Sequence, residues 1–141
     1  MKTLKAMMIG LALLLVCGLA NAAKPAYHNP TKDEVIDTYL NAVVHGNLDG
    51  IDNAIADEAL FNTVRGERTT TLNKGQLIDY LKASAGAQQD CKFTATVVQD
   101  TDDTFVKKVE MNYGDFTRTD VITVQPAGNG WKITKVQTSF K

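Results

Sequence analysis

The chain has 141 residues with 15 basic and 16 acidic side chains, so its formal net charge is −1, and 44% of its residues are hydrophobic. This length suggests a single domain. The balanced charge and the lack of a long Lys or Arg run argue against nucleic-acid binding, because nothing in the sequence could follow a phosphate backbone. The two lysines of residues 105–110 (FVKKVE) lie in a strand pattern beside an acid, which is typical of a solvated face.

The first 22 residues have the pattern of a secretory signal peptide. Two lysines precede an uncharged run over residues 6–20, and residues 20–22 (ANA) match the A-x-A cleavage pattern. The uncharged run is short for a membrane span, which needs about 20 apolar residues. We therefore predict cleavage after Ala22, export of a chain that begins at Ala23 to the periplasm or the medium, and no stable membrane insertion.

A lipoprotein anchored through Cys17 is the alternative to a cleaved signal, but Val16 stands where a small residue is expected. Cleavage after Ala22 leaves 119 residues with 13 basic and 16 acidic side chains, a net charge of −3. It also leaves Cys91 as the single cysteine, so an exported chain has no intrachain disulfide and depends on its core. No base is apparent beside Cys91, which favours a small buried thiol over a nucleophile.

The first structural element is predicted directly after a short extended lead-in at residues 23–30 (AKPAYHNP). Thr31 followed by Glu34 forms a capping-box pattern. A helical stripe of apolar residues then continues until His45 and Gly46. Its members are Val35, Ile36, Tyr39, Leu40, Val43 and Val44.

A second, short helix and a strand are predicted next. Asn47 is a candidate cap for a second helix, with Leu48, Ile51 and Ile55 on one face, before Asp57 and Glu58 lead into the next strand. Residues 59–66 (ALFNTVRG) then alternate as in a half-buried strand. One face of that strand would carry Phe61, Thr63 and Arg65.

The pattern after Gly66 predicts a second strand and a third helix. Residues 69–72 alternate as a strand, and Asn73 with Gln76 resembles another helix cap. The apolar stripe of the third helix ends near Gly86.

From Cys91 onward the hydrophobic period changes from helical to alternating. Four strands are predicted, at residues 92–99, 104–113, 116–125 and 131–140, with hairpin turns between them by composition. Helices followed by an antiparallel meander indicate an α+β fold of three helices and about six strands. In the last strand the apolar phase changes between Ile133 and Val136, which predicts a bulge near Thr134.

The order of these elements, with the segments GNLDGIDNAIADEALF and GNGWKITKVQ, resembles the nuclear transport factor 2-like superfamily. The resemblance covers nearly all of residues 31–141 and is closest to exported bacterial members that carry the name "putative lumazine-binding". It implies a cone-shaped domain whose curved sheet wraps the first helix around a deep pocket. It also implies frequent dimerisation through the sheet, and small-molecule binding in many members and catalysis in some.

Ketosteroid isomerases, which share this opening pattern, give the resemblance a test at individual residues. Tyr39 falls at their helix tyrosine, Asp120 at their late aspartate and Thr63 at their base. The resemblance therefore implies a pocket that retains two donors for a ligand oxygen, with Asp120 protonated. That pocket lacks the group that transfers the proton in the isomerases. General acid or base catalysis accelerates a reaction roughly a hundredfold to ten-thousandfold.

Each candidate site residue has an alternative structural role. Tyr39 on its helix stripe is typical of a core residue. Asp120 shares a strand face with Arg118, so an ion pair is as consistent with the pattern as a ligand contact. Arg65 could close a pocket mouth or lie in solvent. Together with Phe61, Thr63 and Trp131, these three are the expected ligand-binding residues.

The sequence offers no support for a metal or a cofactor. Asp100, Asp102 and Asp103 lack the glycine and glutamate of a calcium loop, and His28 and His45 have no metal-ligand spacing. Phosphate-loop and nucleophile-elbow motifs are also missing.

The sequence therefore predicts an exported cone-shaped protein that binds a small, partly apolar molecule, forms a homodimer through its sheet and is non-enzymatic or only weakly enzymatic. One alternative is a cofactor-free isomerase, dehydratase or hydrolase that uses Asp120 and Tyr39 with a base such as Glu110. The other is an adaptor whose pocket is filled by its own side chains.

Overall fold

The computed structural model describes residues 29–128 and 130–141. The predicted signal peptide, most of the predicted lead-in at 23–30 and Asn129, which falls in a predicted turn, lie outside the described residues. Within those residues, none of the helices has the length and apolar character needed to cross a membrane.

Three helices occupy the described chain: α1 (Lys32–His45), α2 (Ile51–Ala54) and α3 (Lys74–Ala83). The predicted capping box at the start of α1 is confirmed, since the Thr31 side chain accepts from the Glu34 amide and the Glu34 side chain accepts from the Thr31 amide. The cap at α3 is confirmed in the same way by Asn73 and Gln76.

The end of α1 is fixed by a close backbone approach at Gly46. This residue has φ +66°, a left-handed conformation that favours glycine. A Cβ placed there would lie 2.6 Å from the amide nitrogen of Gly86. The Gly86 amide also donates to the Gly46 carbonyl at 3.0 Å, so the end of α1 and the segment after α3 are held together.

Six strands form one curved, unclosed sheet in the order β2-β1-β6-β5-β4-β3. Their bounds are β1 Ile55–Arg65, β2 Arg68–Asn73, β3 Lys92–Asp100, β4 Phe105–Asn112, β5 Thr117–Pro126 and β6 Trp131–Phe140. Four neighbouring pairs are antiparallel, and β1 pairs with β6 in parallel. The predicted α+β class, the number of strands and the cone fold are confirmed.

The predicted second helix is corrected by the structure. α2 has only four residues and begins after Gly50, whose φ is +78°, without a side-chain cap. Asn47 instead accepts the Asp49 amide at 3.0 Å in a local turn, as short polar side chains often do. Ile55 already belongs to β1, where it pairs with Ile133 of β6. Tertiary pairing therefore overrides the helical spacing of Leu48, Ile51 and Ile55.

The predicted bulge in the last strand is confirmed. Thr123 of β5 pairs with Lys135, and Val124 pairs with Ile133, so Thr134 is the extra residue of β6. The inserted residue brings Ile133 and Val136 to the same buried face although three positions separate them.

The core lies between the helices and one face of the sheet. α1 packs on β5 and β6, and α3 packs on β1 and β2. The inward side chains of the central strands are fully or almost fully buried; among them are Val109, Met111, Ile122, Val124, Ile133 and Val136. No helix covers β3 to the same extent, and all nine of its residues are exposed. The packed core therefore spans the middle of the sheet, and the end formed by β1 and β2 stays open for a pocket.

Candidate ligand-binding pocket

A pocket of about 250 Å³ opens between α3 and the inner face of the sheet at the β1–β2 end. Its walls combine aromatic rings, hydroxyl groups and arginines. The described lining residues are Tyr39, Phe61, Thr63, Arg65, Arg68, Thr70, Leu72, Leu77, Tyr80, Arg118, Thr138 and Phe140. Such a mixture of apolar wall and a few polar groups is typical of small-molecule sites, although the volume is slightly below their usual range of about 300–1,000 Å³.

The alternation of β1 places three of the predicted residues on this wall. Phe61, Thr63 and Arg65 all line the pocket, as expected for side chains that share one face of a strand. Phe61 is buried and its ring lies 6.3 Å from that of Tyr39, at an interplanar angle of 20°. The two rings form the deep apolar part of the pocket.

Asp120 lies beneath the pocket wall, where it is not a lining residue, and accepts four hydrogen bonds. Tyr39 Oη donates to Asp120 Oδ2 at 3.0 Å, and Thr138 Oγ1 donates to Oδ1 at 2.8 Å. Arg118 donates from Nε to Oδ1 at 2.9 Å and from Nη2 to Oδ2 at 3.0 Å. Asp120 itself is 0% exposed, so these three residues separate its carboxylate from the open pocket.

The environment of this cluster keeps the tyrosine protonated and the arginine charged. Burial, followed by the negative charge of Asp120, raises the pKa of the Tyr39 phenol well above its usual value of 10.0. Burial alone would lower the pKa of Arg118, but its contacts with Tyr39 and Asp120 outweigh that effect and raise it above the ordinary value. At neutral pH, Tyr39 is therefore a donor and Arg118 a cation.

The hydrogen bonds do not agree with the expectation that Asp120 stays protonated and donates to a ligand. Four donors converge on its two oxygens, and this suits the ionised form of a carboxyl group, which only accepts. Tyr39 uses its hydroxyl hydrogen on Asp120. The two groups do lie together, as the resemblance implied, but Arg118 takes the position of a partner to both.

Two of the predicted ligand-binding residues, Asp120 and Trp131, are not among the described lining residues. Asp120 is buried beneath its donors, and Trp131 lies away from the pocket. Trp131 begins β6 at the other end of the strand, where its amide donates to the Pro30 carbonyl at 3.4 Å. Lys32 Nζ lies 5.6 Å from the centre of its ring. Trp131 therefore packs the start of α1 against the sheet.

Sequence reasoning missed the second wall of the pocket. Arg68 and Thr70 come from β2, while Leu77 and Tyr80 come from α3. The register of β1 and β2 pairs Arg65 with Arg68 and Thr63 with Thr70. This hairpin register could have identified Arg68 and Thr70 from the sequence, because residues directly opposite each other in an antiparallel pair share a face.

The part of the pocket wall formed by described residues holds no group suited to proton transfer near neutral pH. The described lining residues include no Asp, Glu, His or Cys. Glu110, the base suggested for an enzymatic alternative, alternates with the buried Val109 and Met111 and so points to the opposite face of the sheet. There its carboxylate lies 3.2 Å from Lys108 Nζ. Among the described residues there is also no cluster of three possible metal ligands.

The described residues have the nuclear transport factor 2-like fold, and solved structures agree. An NTF2-like protein of unknown function from Silicibacter pomeroyi aligns with a TM-score of 0.64 at 17% identity, over 76% of this chain and 90% of that one. An NTF2-like protein of unknown function from Shewanella baltica aligns with a TM-score of 0.60 at 12% identity, over 77% of this chain and 89% of that one. A third NTF2-like protein, from Cytophaga hutchinsonii, aligns with a TM-score of 0.59 at 17% identity, over 74% of this chain and 91% of that one.

The sequence assigns the chain more narrowly. A family model described as "Putative lumazine-binding" matches residues 29–139. The chain therefore belongs to this family of the nuclear transport factor 2-like superfamily. Among curated proteins, no sequence matches it.

Proposed function

We propose that this protein is an exported binding protein that holds a small, partly apolar molecule in its pocket without transforming it. The observation that carries the proposal is the open pocket of about 250 Å³, whose walls offer rings and hydroxyl groups. The name of the matching family, which refers to binding, is consistent with this function.

The chemistry of the pocket wall supports a non-catalytic role. Thr63 stands at the position where the resemblance expects a base, and a threonine hydroxyl does not hold a proton in transit near neutral pH. Asp120 is buried beneath its donors and makes four hydrogen bonds, so it is not available to a substrate. The wild-type protein is therefore expected not to isomerise a β,γ-unsaturated ketone.

The two alternatives have less support from the structure. An isomerase, dehydratase or hydrolase would need a base on the pocket wall, and Glu110 lies on the other face of the sheet. An adaptor with a filled pocket would have side chains in the space that is open between Phe61 and Tyr80. Export and dimerisation belong to the proposal as expectations from the sequence.

Native mass spectrometry of protein taken directly from its host tests the proposal. The wild-type protein is expected to carry a noncovalent adduct in the mass range of a small organic molecule. Thr70→Trp should lose the adduct, because Thr70 lines the pocket and an indole would occupy that space. Thr69→Trp is the matched control, since Thr69 is also exposed on β2 but belongs to the opposite face, where it pairs with Val64.

Three outcomes separate the candidate functions. An adduct lost only in Thr70→Trp supports binding in this pocket. An adduct retained equally in both variants would place the ligand elsewhere and contradict the proposal. Conversion of the released compound by the wild-type protein, with loss of that activity in Thr70→Trp, would favour the enzymatic alternative.

A further inference from the structure

The arginines of this chain are concentrated at one place. The sequence contains three arginines and twelve lysines, and all three arginines line the pocket. No lysine is among the described lining residues. Arginine presents a planar fork of donors that matches carboxylate and phosphate oxygens, whereas lysine is a point charge. This distribution suggests anion recognition at the pocket and not a general surface charge.

One of the three charges is already neutralised inside the protein. Arg118 forms a two-point ion pair with Asp120, and its side chain is only 19% exposed. The other two are different, because Arg65 and Arg68 are exposed and neither forms an ion pair with a carboxylate of the described chain. Glu67, in the turn between them, makes no ion pair with either. The pocket therefore carries two uncompensated positive charges.

The two free arginines lie directly opposite each other. Arg65 is the last residue of β1 and Arg68 the first of β2, and they are cross-strand partners. Like charges in this position destabilise a hairpin. An anion between the two guanidinium groups would remove that repulsion and accept hydrogen bonds from both.

The guanidinium of Arg65 also has a defined position. Its Cζ lies 4.3 Å from the centre of the Phe140 ring, a distance at which a cation is attracted to the ring face. Phe140 is itself part of the pocket wall. A shallow hollow of about 380 Å³ continues from these two residues past Phe116 to Lys141.

We infer that the ligand is a small aromatic or fused-ring acid, whose carboxylate or phosphate lies between Arg65 and Arg68 while its ring enters the pocket. The inner wall at Tyr39, Phe61 and Leu72 would contact the ring. The volume of about 250 Å³ fits one ring or two fused rings. This inference rests on the proposed function, because it specifies what the proposed pocket binds.

Calorimetry with matched probes tests the charge requirement. The probes are 2-naphthoate, 2-naphthyl phosphate and the neutral 2-naphthamide, which share one fused ring. At low ionic strength the naphthoate is expected to bind about tenfold or more tightly than the amide, which is the effect of charge-assisted hydrogen bonds worth 1.4 kcal/mol or more. The advantage should shrink as salt is added. The naphthyl phosphate determines whether the site prefers a phosphate or a carboxylate.

Variants locate the charge effect. Arg65→Gln and Arg68→Gln should each weaken naphthoate binding about tenfold and leave naphthamide binding unchanged. Lys135→Gln is the control, because it removes one positive charge from an exposed position on β6 outside the pocket. Arg68→Gln should unfold at the same temperature as the wild type or at a higher one, since it relieves the repulsion across the hairpin. Arg65→Gln relieves the same repulsion but also loses the contact with the Phe140 ring, so its unfolding temperature does not test the inference.

The outcomes are distinct for the inference and for the proposed function. Equal binding of naphthoate and naphthamide, unaffected by Arg68→Gln but lost in Thr70→Trp, would overturn the anion inference and leave the pocket as a binding site. An equal loss of naphthoate affinity in Lys135→Gln would also overturn it, since the effect would then be one of net charge. Failure of all three probes to bind at millimolar concentration would contradict both.

Discussion

Arg118 and Asp120 lie two residues apart on β5, and the guanidinium of the first holds both carboxylate oxygens of the second at 2.9 and 3.0 Å. Arg118 of this pair lines the pocket, while Tyr39 of α1 and Thr138 of β6 complete the hydrogen bonds of the carboxylate beneath it. One buried charge pair thus joins the first helix to two central strands. This cluster replaces the two free donors that the resemblance to isomerases implied.

Removal of one partner from this pair should be costly. Asp120→Ala would leave Arg118 and Tyr39 without their acceptor, and the free energy of unfolding is expected to fall by about 3 kcal/mol in urea titrations. Asp115→Ala, in the exposed turn before β5, is the control and should change it by less than about 0.5 kcal/mol. A double variant, Arg118→Met with Asp120→Leu, should recover much of the loss because no unpaired charge remains. A loss below about 1 kcal/mol in Asp120→Ala would contradict the assigned role.

The protein should lose stability in alkaline solution through its tyrosines. The pKa of Tyr39 is raised well above 10.0, chiefly by burial, and burial followed by Cys91 raises that of Tyr113 to about 12. Because the folded state holds these protons more tightly, their contribution is complete below the unfolded value of about 10 and is lost as the pH rises above it. The free energy of unfolding should therefore fall between about pH 10 and pH 12.

Substitution of Tyr39 tests how much of this loss of stability at alkaline pH comes from its phenol. Tyr39→Phe should be less stable by about 1 kcal/mol at pH 8, because a hydrogen bond to Asp120 is lost, but its stability should fall less steeply above pH 10. Thr138→Val is the control, since it removes another donor to the same carboxylate and keeps the phenol. If the free energy of unfolding falls with pH equally steeply in Tyr39→Phe and in Thr138→Val above pH 10, Tyr39 does not contribute to the alkaline loss of stability.

Two glycines of similar backbone conformation should respond very differently to substitution. Gly46→Ala combines a φ of +66° with a Cβ 2.6 Å from the Gly86 amide nitrogen, whereas Gly66 has φ +60° and nothing within 4 Å. Gly66→Ala should cost only the strain of the left-handed conformation, about 1–2 kcal/mol. Gly46→Ala should cost distinctly more, because the contact between α1 and the segment after α3 must move. Equal unfolding temperatures would contradict this assignment of the end of α1.

Processing at the N-terminus remains a prediction from the sequence. The exported protein is expected to begin at Ala23 and to carry one titratable thiol, Cys91. Intact-mass measurement on exported material decides this. A mass that includes acyl chains on Cys17 would instead establish the lipoprotein.

Dimerisation through the outer face of the sheet is also a prediction. Thr117, Thr119, Val121 and Thr123 of β5 are half-buried on that face, opposite the inward-facing Asp120. Light scattering at micromolar concentration is expected to give twice the chain mass. Val121→Lys should shift it toward the monomer, while Thr69→Lys at the edge strand should not. A monomer in the wild-type protein would contradict the prediction.

Most helices and strands could be predicted from short sequence patterns, because caps and hydrophobic periodicity depend on neighbouring residues. The capping residues Thr31 and Asn73 identified the starts of two helices, since short polar side chains satisfy helix amides within one turn. The shift of apolar phase around Thr134 identified a bulge. The prediction of the second helix was wrong because the spacing of Ile51 and Ile55 suits a longer helix and equally a helical turn followed by a buried strand. Only the pairing of Ile55 with β6 distinguishes these two structures.

The sequence by itself determined the order of the elements, the fold and the pocket-facing row of Phe61, Thr63 and Arg65, because hydrophobic periodicity and caps act over a few residues. Only the tertiary structure decided what the pocket is. It enclosed the Arg118–Asp120 pair between Tyr39 of α1 and Thr138 of β6 and set Trp131 at the end of β6 away from the pocket. It also placed Arg118 in the same pocket as Arg65 and Arg68. Those relations depend on strand register and on packing between distant segments, and the charge of a pocket is the sum of contacts that no short stretch of sequence contains.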